Sequence, residues 1–534
     1  MTGAGLLLQG GTVFDGLGSP GRVADVAVLD RRVVAVGGDP PAGLRRVDCR
    51  DRYVAPGFVD THAHSDLVHL LEEPQPFKLL QGVTTEVVGN CGLTFAPLDP
   101  ASAEVAGQLW SGLAAGVPIE PWGFGELAGR LDRAGPANNL ALLVGHGTLR
   151  LTANGLDERL RPGAAERMAA LAAEAFEAGA VGLSSGLIYV PGSYADTGEL
   201  VALARVAAGY GGTYATHMRD EGAHLEAALD EAVTIARAAG VRLQVSHCKA
   251  AGRAAHGRGT LLLQRLAAAR LEGVDAQGDQ YPYDAGATVL SSLLPPAVAA
   301  GGTGLMLARL RDPAARAALR AQAERGGVGD GGWALADPAD VLLTGHADAG
   351  LVGRNLAEAA GGRDPWDALC DLVADDPAAT IVIRLMREDD VRAILASPLV
   401  GVGSDSLAPT GLGHPRTWGC FPRLLGRYVR EEQALTWAQA IRKATWLGAR
   451  QFRLDGRGLL VEGAVADLCV FDPATVGHDG SYLDPGVPVT GIDHVVLAGD
   501  LVVEHGQYTG RSSGRVLRGP GSAATAGPGP GPRR

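Results

Sequence analysis

The amino-acid sequence predicts an α/β protein, a (β/α)8 barrel joined to a small β-sandwich that is built from both ends of the chain. Over about residues 55–440, short apolar runs alternate with Ala- and Leu-rich helical patterns. This alternation is typical of βα units that form a parallel sheet. On both sides of this region, in residues 1–54 and 441–510, apolar and polar residues alternate between glycines, as in short antiparallel strands.

The two ends of the chain show the same alternation of apolar and polar residues. Near the start stand LLLQGGTVFDG and VADVAVLDRRVVAVGG, and near the other end stand GLLVEGAVADLCVFD and GIDHVVLAGDLVVEHGQ. Because these stretches flank a long middle region, we expect them to assemble into one small β-sandwich. Residues 511–534 are rich in Gly, Pro, Ser and Arg without periodicity, and this composition predicts a disordered tail.

The middle region contains candidate strands separated by helical patterns such as GAAERMAALAAEAFEAG. The strands are expected to end near His64, Asn90, Gly145, Ser184, His217, His247, Tyr281 and Asp405. Eight βα units over this length suit a (β/α)8 barrel. An insertion at about residues 287–347 follows the seventh strand. It is expected to form either a lid or specificity subdomain, or a decoration without function.

Composition narrows the class of protein. The 534 residues are 46% hydrophobic and 20% charged, as in globular proteins of more than one domain. The net charge of -12 argues against nucleic acid or an anionic membrane surface as a partner. The sequence shows no signal peptide and no apolar stretch long enough for a transmembrane helix. Six scattered cysteines favour the reducing cytoplasm over a disulfide framework, and the oligomeric state is left open.

The stretch YVAPGFVDTHAHSD carries His62 and His64 directly after an apolar run. Residues two apart on a strand point to the same side, so both imidazoles are expected to face one cavity. Imidazole is a common metal ligand. A His-x-His pair alone, however, is more often an ordinary polar strand end.

Further metal-type ligands stand at the ends of other candidate strands. TTEVVGNCG contains Cys91, GTYATHMRDE contains His217, LQVSHCK contains His247 and LVGVGSDS contains Asp405. Active sites of (β/α)8 barrels lie at the C-terminal ends of the strands. Cysteine, histidine and carboxylate ligands suit zinc. We therefore expect a zinc site at this face of the barrel.

Such a site predicts a reaction. Zinc with an open coordination position lowers the pKa of water towards about 7 and polarises a carbonyl. A nearby carboxylate can accept the proton and pass it to the leaving group, and Asp405 is placed for this role. The alternative is that Asp405 begins the following helix as its N-cap, which GSDS also suits. Hydrolysis of an amide is the reaction that these residues support best.

The collected motifs resemble those of the N-acyl-D-amino acid deacylases (D-aminoacylases) of the amidohydrolase superfamily. The resemblance covers about residues 5–510 and is carried by APGFVDTHAHSD, GVTTEVVGNCG, GLSSGLIYVPGSYADTGEL, YATHMRDEG, VSHCKAAG, GDQYPYDAG, GVGSDS and GLGHPRTWGCFPR. The Asn-Cys-Gly and His-Pro-Arg motifs point to this branch of the superfamily.

The resemblance implies a zinc ion held tightly by Cys91, His217 and His247. It further implies that the remaining ligands, His62, His64 and Asp405, line a second site that is weaker or optional. Many related binuclear enzymes bridge their metals with a carboxylated lysine, and Cys91 looks like its replacement here.

The resemblance also implies residues that bind the substrate. Arg416 in GHPRTWG matches an arginine that holds the α-carboxylate, for which a guanidinium fork is suited. Lys249 and Tyr281 match residues that share this carboxylate, and Tyr189 matches a tyrosine at the scissile carbonyl. The alternatives are a structural ion pair for Arg416, a solvated loop charge for Lys249, and barrel-mouth packing for Tyr281.

The favoured function is zinc-dependent hydrolysis of N-acyl-D-amino acids to a D-amino acid and a carboxylate, with Asp405 as general base and then acid. One alternative is a cyclic amidase such as a hydantoinase or dihydroorotase, and another is a non-catalytic binding protein. The preferred side chain of the substrate is left open. Neutral and hydrophobic side chains are favoured, because arginines on a helix surface are usually solvated and would not bind an acidic side chain. The arginines of the insertion are Arg309, Arg311, Arg316 and Arg320.

Overall fold

The computed structural model of the protein describes residues 5–409 and 411–522. Its first strands belong to the small sheet at the ends of the chain. They are β1 (Leu6–Val13), β2 (Arg22–Leu29), β3 (Arg32–Val36), β4 (Arg45–Asp48) and β5 (Tyr53–Pro56). β1 pairs antiparallel with β2 and parallel with β4 and β5, and β2 pairs antiparallel with β3.

The first seven strands of the barrel are β6 (Phe58–Asp60), β7 (Val83–Val88), β8 (Asn139–Gly145), β9 (Gly182–Gly186), β10 (Thr213–His217), β11 (Arg242–Val245) and β12 (Ala276–Gln280). The helices are α1 (Pro100–Trp110), α2 (Phe124–Ala134), α3 (His146–Asn154), α4 (Ala164–Glu177), α5 (Thr197–Gly209), α6 (Leu225–Ala239) and α7 (Gly259–Leu271). From β7 to β12 the barrel strands are separated by α-helices, as the sequence predicted, whereas only 3-10 turns lie between β6 and β7.

The insertion after β12 is longer than predicted, because its last strand ends at Arg384 and not near residue 347. It contains β13 (Ala285–Val289), α8 (Thr303–Arg311), α9 (Pro313–Ala323), β14 (Val341–Gly345), α10 (Leu356–Ala360), α11 (Pro365–Asp375) and β15 (Thr380–Arg384). β15 pairs antiparallel with both β13 and β14. This pairing joins segments that are far apart in the chain, so local sequence patterns do not predict it.

The barrel is completed by α12 (Glu388–Ala396) and the eighth strand, β16 (Val400–Val402). All eight strands are parallel, in the order β16-β12-β11-β10-β9-β8-β7-β6. The isolated parallel bridge between Ala63 and Ser406 joins the chain beyond β6 to the chain beyond β16. The predicted (β/α)8 barrel is confirmed.

Three helices follow, α13 (Arg416–Arg423), α14 (Trp437–Ala444) and α15 (Trp446–Gln451), with a π-helical turn at Leu424–Glu431. Short 3-10 turns lie at Val68–Leu70, Leu79–Gln81, Ser111–Leu113, Gly192–Tyr194, Leu290–Leu293, Pro296–Ala299, Trp333–Leu335, Pro338–Asp340 and Ala349–Leu351. Within the described residues, none of the helices combines the length and the apolar character that crossing a bilayer requires.

The barrel interior is filled at the end opposite the candidate ligands. Val59, Val87 and Leu143 pack with Phe452 and Leu454, which follow α15. Interior and exterior side chains alternate along each strand, so the neighbours Leu142 and Val144 pack outward with the helices. The open end of the barrel is therefore the C-terminal end of its strands.

The last strands return to the small sheet. They are β17 (Leu468–Phe471), β18 (Ile492–Leu497), β19 (Asp500–Glu504), β20 (Gln507–Tyr508) and β21 (Val516–Leu517). β17 pairs antiparallel with β5, so both ends of the chain build one sheet, in the order β20-β19-β18-β17-β5-β1-β2-β3. The N–H of Val33 in β3 donates to Ala464 O at 3.0 Å. The sheet therefore folds back over an apolar core that both ends share.

The predicted disordered tail is wrong for residues 511–522. Within them, β21 pairs parallel with β8, with Val516 opposite Leu140 and Leu517 opposite Ala141. β9 pairs with β8 only from Leu143 onward, so the start of β8 has a free edge that β21 covers. Residues 523–534 lie outside the described residues.

Candidate active site

The candidate ligands converge at the C-terminal ends of five barrel strands. They are His62 and His64 after β6, Cys91 after β7, His217 at the end of β10, His247 after β11 and Asp405 after β16, and all are buried. Cys91, His247 and Asp405 have φ angles of 54°, 34° and 50°. L-residues rarely adopt this left-handed region, and such strain concentrates at functional sites.

Cys91 lies at the centre of the first cluster. Its Sγ is 3.5 Å from His247 Nε2, 3.8 Å from His217 Nδ1 and 3.4 Å from His62 Nε2. Tetrahedral zinc with bonds of about 2.0–2.3 Å has ligand atoms roughly 3.3–3.8 Å apart. His62, Cys91 and His247 offer one ligand atom each within 4.8 Å of one another, and the donor types and spacing of this set fit a zinc ion. His217 approaches the set through its contact with Cys91.

His62, His64 and Asp405 form a second cluster. Oδ1 of Asp405 is 3.5 Å from His62 Nε2 and 3.4 Å from His64 Nε2. Since His62 Nε2 also approaches Cys91, His62 lies between the two clusters and not only in the second. The three side chains offer one ligand atom each within 4.8 Å of one another.

Burial controls the protonation of these ligands. It lowers the pKa of His217 to about 3 and the pKa of His62 well below its ordinary value. It raises the pKa of Cys91. The two imidazoles are therefore neutral and able to coordinate at pH 7, while the Cys91 thiol has to lose its proton when it binds a metal.

Glu221, which no sequence pattern predicted, lies close to two of the candidate ligand histidines. Its carboxylate is 2.9 Å from His247 Nδ1 and 3.5 Å from His217 Nε2, the nitrogens that point away from Cys91. Burial would raise the pKa of Glu221, but His217, Lys249 and His247 outweigh it and hold that pKa well below its ordinary value. Such carboxylates fix the orientation of ligand imidazoles. The available signal was its place four residues after His217.

Asp279 is a second residue that the sequence analysis missed. Its Oδ1 accepts the backbone N–H of His247 at 2.7 Å and lies 3.6 Å from His62 Nδ1. Burial raises the pKa of Asp279 to about 6. Asp279 lies on β12, two positions before Tyr281. Because residues two apart on a strand point to the same side, the predicted role of Tyr281 could have indicated Asp279.

Arg416 pairs with Asp405. Its Nη1 lies 3.0 Å from Asp405 Oδ2, its Nη2 donates to Ala287 O at 3.2 Å, and its guanidinium lies 4.5 Å from the Tyr281 ring centre. Burial would raise the pKa of Asp405, but Arg416, His247 and the other neighbours outweigh it and hold that pKa well below its ordinary value. Among the described residues, Arg416 Nε and the Tyr281 hydroxyl are buried without a hydrogen-bond partner. Each of them therefore keeps an unused hydrogen-bond donor.

The other predicted substrate residues lie around the same point. Lys249 is buried, and its Nζ contacts Glu221 at 2.7 Å and His247 Nδ1 at 2.6 Å, so it is not a solvated loop charge. The Tyr189 ring packs against the His217 ring at 5.2 Å, and its hydroxyl bonds Thr288 at 3.1 Å.

Two cavities meet at this site. One, of about 80 Å³, is largely apolar and runs from His64, Cys91 and Asp405 to side chains that include Trp110, Leu113, Val298 and Met306. The other, of about 350 Å³, contains His217, Glu221, Lys249 and Tyr281 and is closed by the insertion, for example at Leu335. The insertion therefore forms part of the walls of both cavities.

Comparisons with known proteins all point to one family. The model of the amidohydrolase family matches residues 45–291 and 298–503. N-acyl-D-glutamate deacylase of Alcaligenes xylosoxydans xylosoxydans is 38% identical over 527 residues, which cover 98% of each chain. The crystal structure of N-acyl-D-glutamate deacylase from Bordetella bronchiseptica contains zinc and a phosphonate that mimics the tetrahedral intermediate. It is 34% identical, has a TM-score of 0.81 and covers 96% of this chain and 99% of that chain.

A solved D-aminoacylase is similar to the same extent. It is 35% identical, with a TM-score of 0.82, over 96% of this chain and 99% of that chain. That enzyme has a binuclear metal centre with one-metal activation and second-metal attenuation.

Proposed function

Because the chain belongs to the amidohydrolase family, in the branch of the N-acyl-D-amino acid deacylases, we propose that it hydrolyses N-acyl-D-amino acids. The products are a free D-amino acid and a carboxylate. The observation that carries the proposal is the pair of Asp405 and Arg416, 3.0 Å apart beside the Cys91 cluster. One buried cluster of side chains thus combines metal ligands, a carboxylate for proton transfer and a cation that suits a substrate carboxylate.

Cys91, His217 and His247 would hold one zinc ion tightly, and His62, His64 and Asp405 would form a weaker or optional site. When bound, zinc supplies acidification of water and polarisation of a carbonyl. The attenuation by a second metal in D-aminoacylase supports this unequal use of two sites. His62 lies within reach of both clusters and can serve either.

Asp405 would move the proton. It accepts a proton from the attacking water and later donates it to the leaving nitrogen, as a carboxylate at a hydrolytic site can. Arg416 helps to keep the pKa of Asp405 low. When a substrate carboxylate binds Arg416, the positive charge near Asp405 is offset, so the pKa of Asp405 rises and its basicity increases.

The α-carboxylate would bind Arg416 together with Lys249 and Tyr281. The free Nε of Arg416 and the free Tyr281 hydroxyl support this assignment, because a guanidinium fork binds carboxylates with two donors. Tyr189 would donate to the oxygen of the scissile carbonyl from the rim where the two cavities meet.

A neutral, apolar side chain would be preferred. The smaller cavity has His64, Cys91, Tyr189 and Asp405 as its titratable lining and is otherwise lined largely by apolar side chains. Arg309, Arg311, Arg316 and Arg320 line neither cavity, whereas Arg325 of the insertion lines the larger one. Arg316 bonds Asp371, and Arg320 bonds Glu324 and Asp364.

The cytoplasm is the proposed compartment. Each of the six cysteines lies in the described part of the chain and is a buried free thiol. Free thiols in this number suit a reducing compartment.

The test is a parallel assay of the zinc-loaded protein on N-acetyl-D- and N-acetyl-L-amino acids with Leu, Met, Trp, Glu and Asp side chains, read as release of free amine. Turnover of the D-series alone, lost in Cys91→Ala and Asp405→Ala, is expected. Hydantoin and dihydroorotate serve as controls. Turnover of a cyclic imide with no turnover of any N-acyl amino acid would overturn the proposal.

A further inference from the structure

A buried ammonium group lies behind the candidate site. Lys78, just before the turn Leu79–Gln81, is fully buried. Its Nζ lies 2.5 Å from Asp60 Oδ2, 3.2 Å from Glu86 Oε1 and 2.8 Å from Ser404 Oγ. Three charged groups and a hydroxyl therefore occupy one water-excluded space, none of them among the candidate metal ligands.

Asp60 connects this ammonium to two parts of the site. Its Oδ1 accepts the backbone N–H of Ser404 at 2.8 Å and that of His62 at 3.2 Å. Its Oδ2 accepts the Ser404 hydroxyl at 2.5 Å. One carboxylate thus holds both the first histidine of the His-x-His pair and the residue directly before Asp405.

These contacts lie where the barrel closes. β6 and β16 have three residues each. Beyond them the closure consists of few backbone bonds, such as Asp405 N–H to His62 O at 2.7 Å. Asp405 has a left-handed backbone with φ of 50°, which an L-residue adopts only when its surroundings impose it. The side-chain bonds of Ser404 supply such a constraint.

The Lys78 ammonium is held in its charged form by the two carboxylates around it. Burial would lower the pKa of Lys78, but Asp60 and Glu86 outweigh it and raise that pKa. Glu86 in turn accepts the Ser65 hydroxyl at 2.7 Å, beside His64. The removal of one member leaves a buried charge without a partner, which is costly.

We propose that Lys78, Asp60 and Ser404, the seam cluster, are positioning residues that fix Asp405 and His62 relative to each other across the closure of the barrel. The seam cluster thereby sets the geometry of the metal site formed by His62, His64 and Asp405 and the direction in which Asp405 accepts a proton. The second of these roles rests on the proposed function, whereas the first concerns metal binding alone.

The test compares two serines that flank Asp405. Ser404→Ala removes the hydroxyl that joins Asp60 and Lys78 to the Asp405 loop. Ser406→Ala is the matched control, because Ser406 is equally buried but its Oγ has no hydrogen-bond partner among the described residues. Both changes leave every charge in place, so both variants are expected to fold.

Zinc titration and steady-state kinetics are the readouts. In Ser404→Ala, binding of the second zinc equivalent is expected to weaken at least tenfold, while binding of the first is unchanged within twofold. With one zinc bound, kcat is expected to fall at least tenfold at an unchanged KM. Ser406→Ala is expected to match the wild type within twofold in both measurements.

Lys78→Met is a second test of the proposal. In folded protein it is expected to reduce kcat and the affinity for the second zinc more than Ser404→Ala does. If Lys78→Met does not fold, the serine pair still decides. Wild-type second-site affinity in Ser404→Ala, or equal losses in both serine variants, would overturn the proposal. Absence of turnover in the wild type would refute the proposed function alone, because the zinc titration still compares the two serines.

Discussion

Arg416 Nη1 lies 3.0 Å from Asp405 Oδ2, so the proposed carboxylate-binding residue is paired with the proposed base. A substrate carboxylate that binds Arg416 competes with Asp405 for the same cation. Under the proposed function, a substrate with a correctly placed carboxylate frees Asp405 for proton transfer, and this coupling would link recognition to chemistry.

The first prediction follows from this pair. Arg416→Lys keeps the charge but loses the fork, and it is expected to reduce kcat/KM for N-acetyl-D-leucine by about 30- to 1000-fold, equivalent to about 2–4 kcal/mol. The fall in kcat/KM should be much smaller for the analogue of N-acetyl-D-leucine that lacks the α-carboxylate. Arg427→Lys, a half-buried residue of the π-helical turn after α13 that lines neither cavity, is the control and should retain wild-type kinetics. An equal loss for both substrates would contradict the carboxylate role.

The second prediction concerns Glu221, whose carboxylate lies 2.9 Å from His247 Nδ1 and 3.5 Å from His217 Nε2. Glu221→Gln is expected to weaken zinc binding by about 10- to 100-fold, because it loosens two ligand imidazoles. Competition with a chelator measures the affinity. Glu226→Gln, an exposed carboxylate on α6 that pairs with Arg258, should leave the affinity unchanged. Unchanged affinity in Glu221→Gln would show that the imidazoles are held by other contacts.

The third prediction concerns side-chain preference. Met306 lines the small apolar cavity and is buried. Met306→Arg brings a cation there and should raise the ratio of kcat/KM for N-acetyl-D-glutamate over N-acetyl-D-leucine at least tenfold. Leu305→Arg changes the adjacent residue of α8, which is 51% exposed, and should leave the ratio as it is. A constant ratio in both variants would mean that the substrate side chain lies elsewhere.

The fourth prediction concerns stability against pH. The pKa of Glu86 is lowered from 4.5 to about 2, since Lys78, His69 and Ser65 outweigh the effect of burial. A lowered pKa contributes stability that is present above about pH 4.5 and is lost as the pH falls toward 2. Denaturant unfolding of Glu86→Gln should therefore show a deficit that is largest above pH 5 and narrows toward pH 2. The exposed Glu73→Gln should parallel the wild type throughout, and a deficit independent of pH would contradict the charge argument.

The sequence allowed the barrel and the ligand cluster to be predicted for one reason. Each candidate ligand directly follows an apolar run, and the C-terminal ends of parallel strands meet at one face. The place of Cys91 and His247 at the site could be predicted without the conformation of the loops, because both residues lie within a few residues of a strand end. The resemblance in motifs then supplied Arg416, whose place after β16 no spacing rule provides.

Other features depend on contacts that local patterns do not carry. Glu221 is one of several acidic residues in the loops after the strands, and its inward direction depends on where His217, His247 and Lys249 meet. β21 has only two residues and becomes a strand because β8 has a free edge beside Leu140. Ser404 and Lys78 lie far apart in sequence, so their bond follows only from closure of the barrel.

The pairing of β5 with β17 has a consequence for synthesis on the ribosome. The edge of β5 that β17 covers at Tyr53–Pro56 stays open until Leu468–Phe471 has been translated, about 400 residues later. At typical elongation rates this delay is roughly 20–80 s. During this time the nascent chain has to complete its barrel beside an unpaired strand edge, a structure that invites pairing with other chains. Translation speed and chaperone access should therefore affect the yield of this protein more than that of a barrel without a shared terminal sheet.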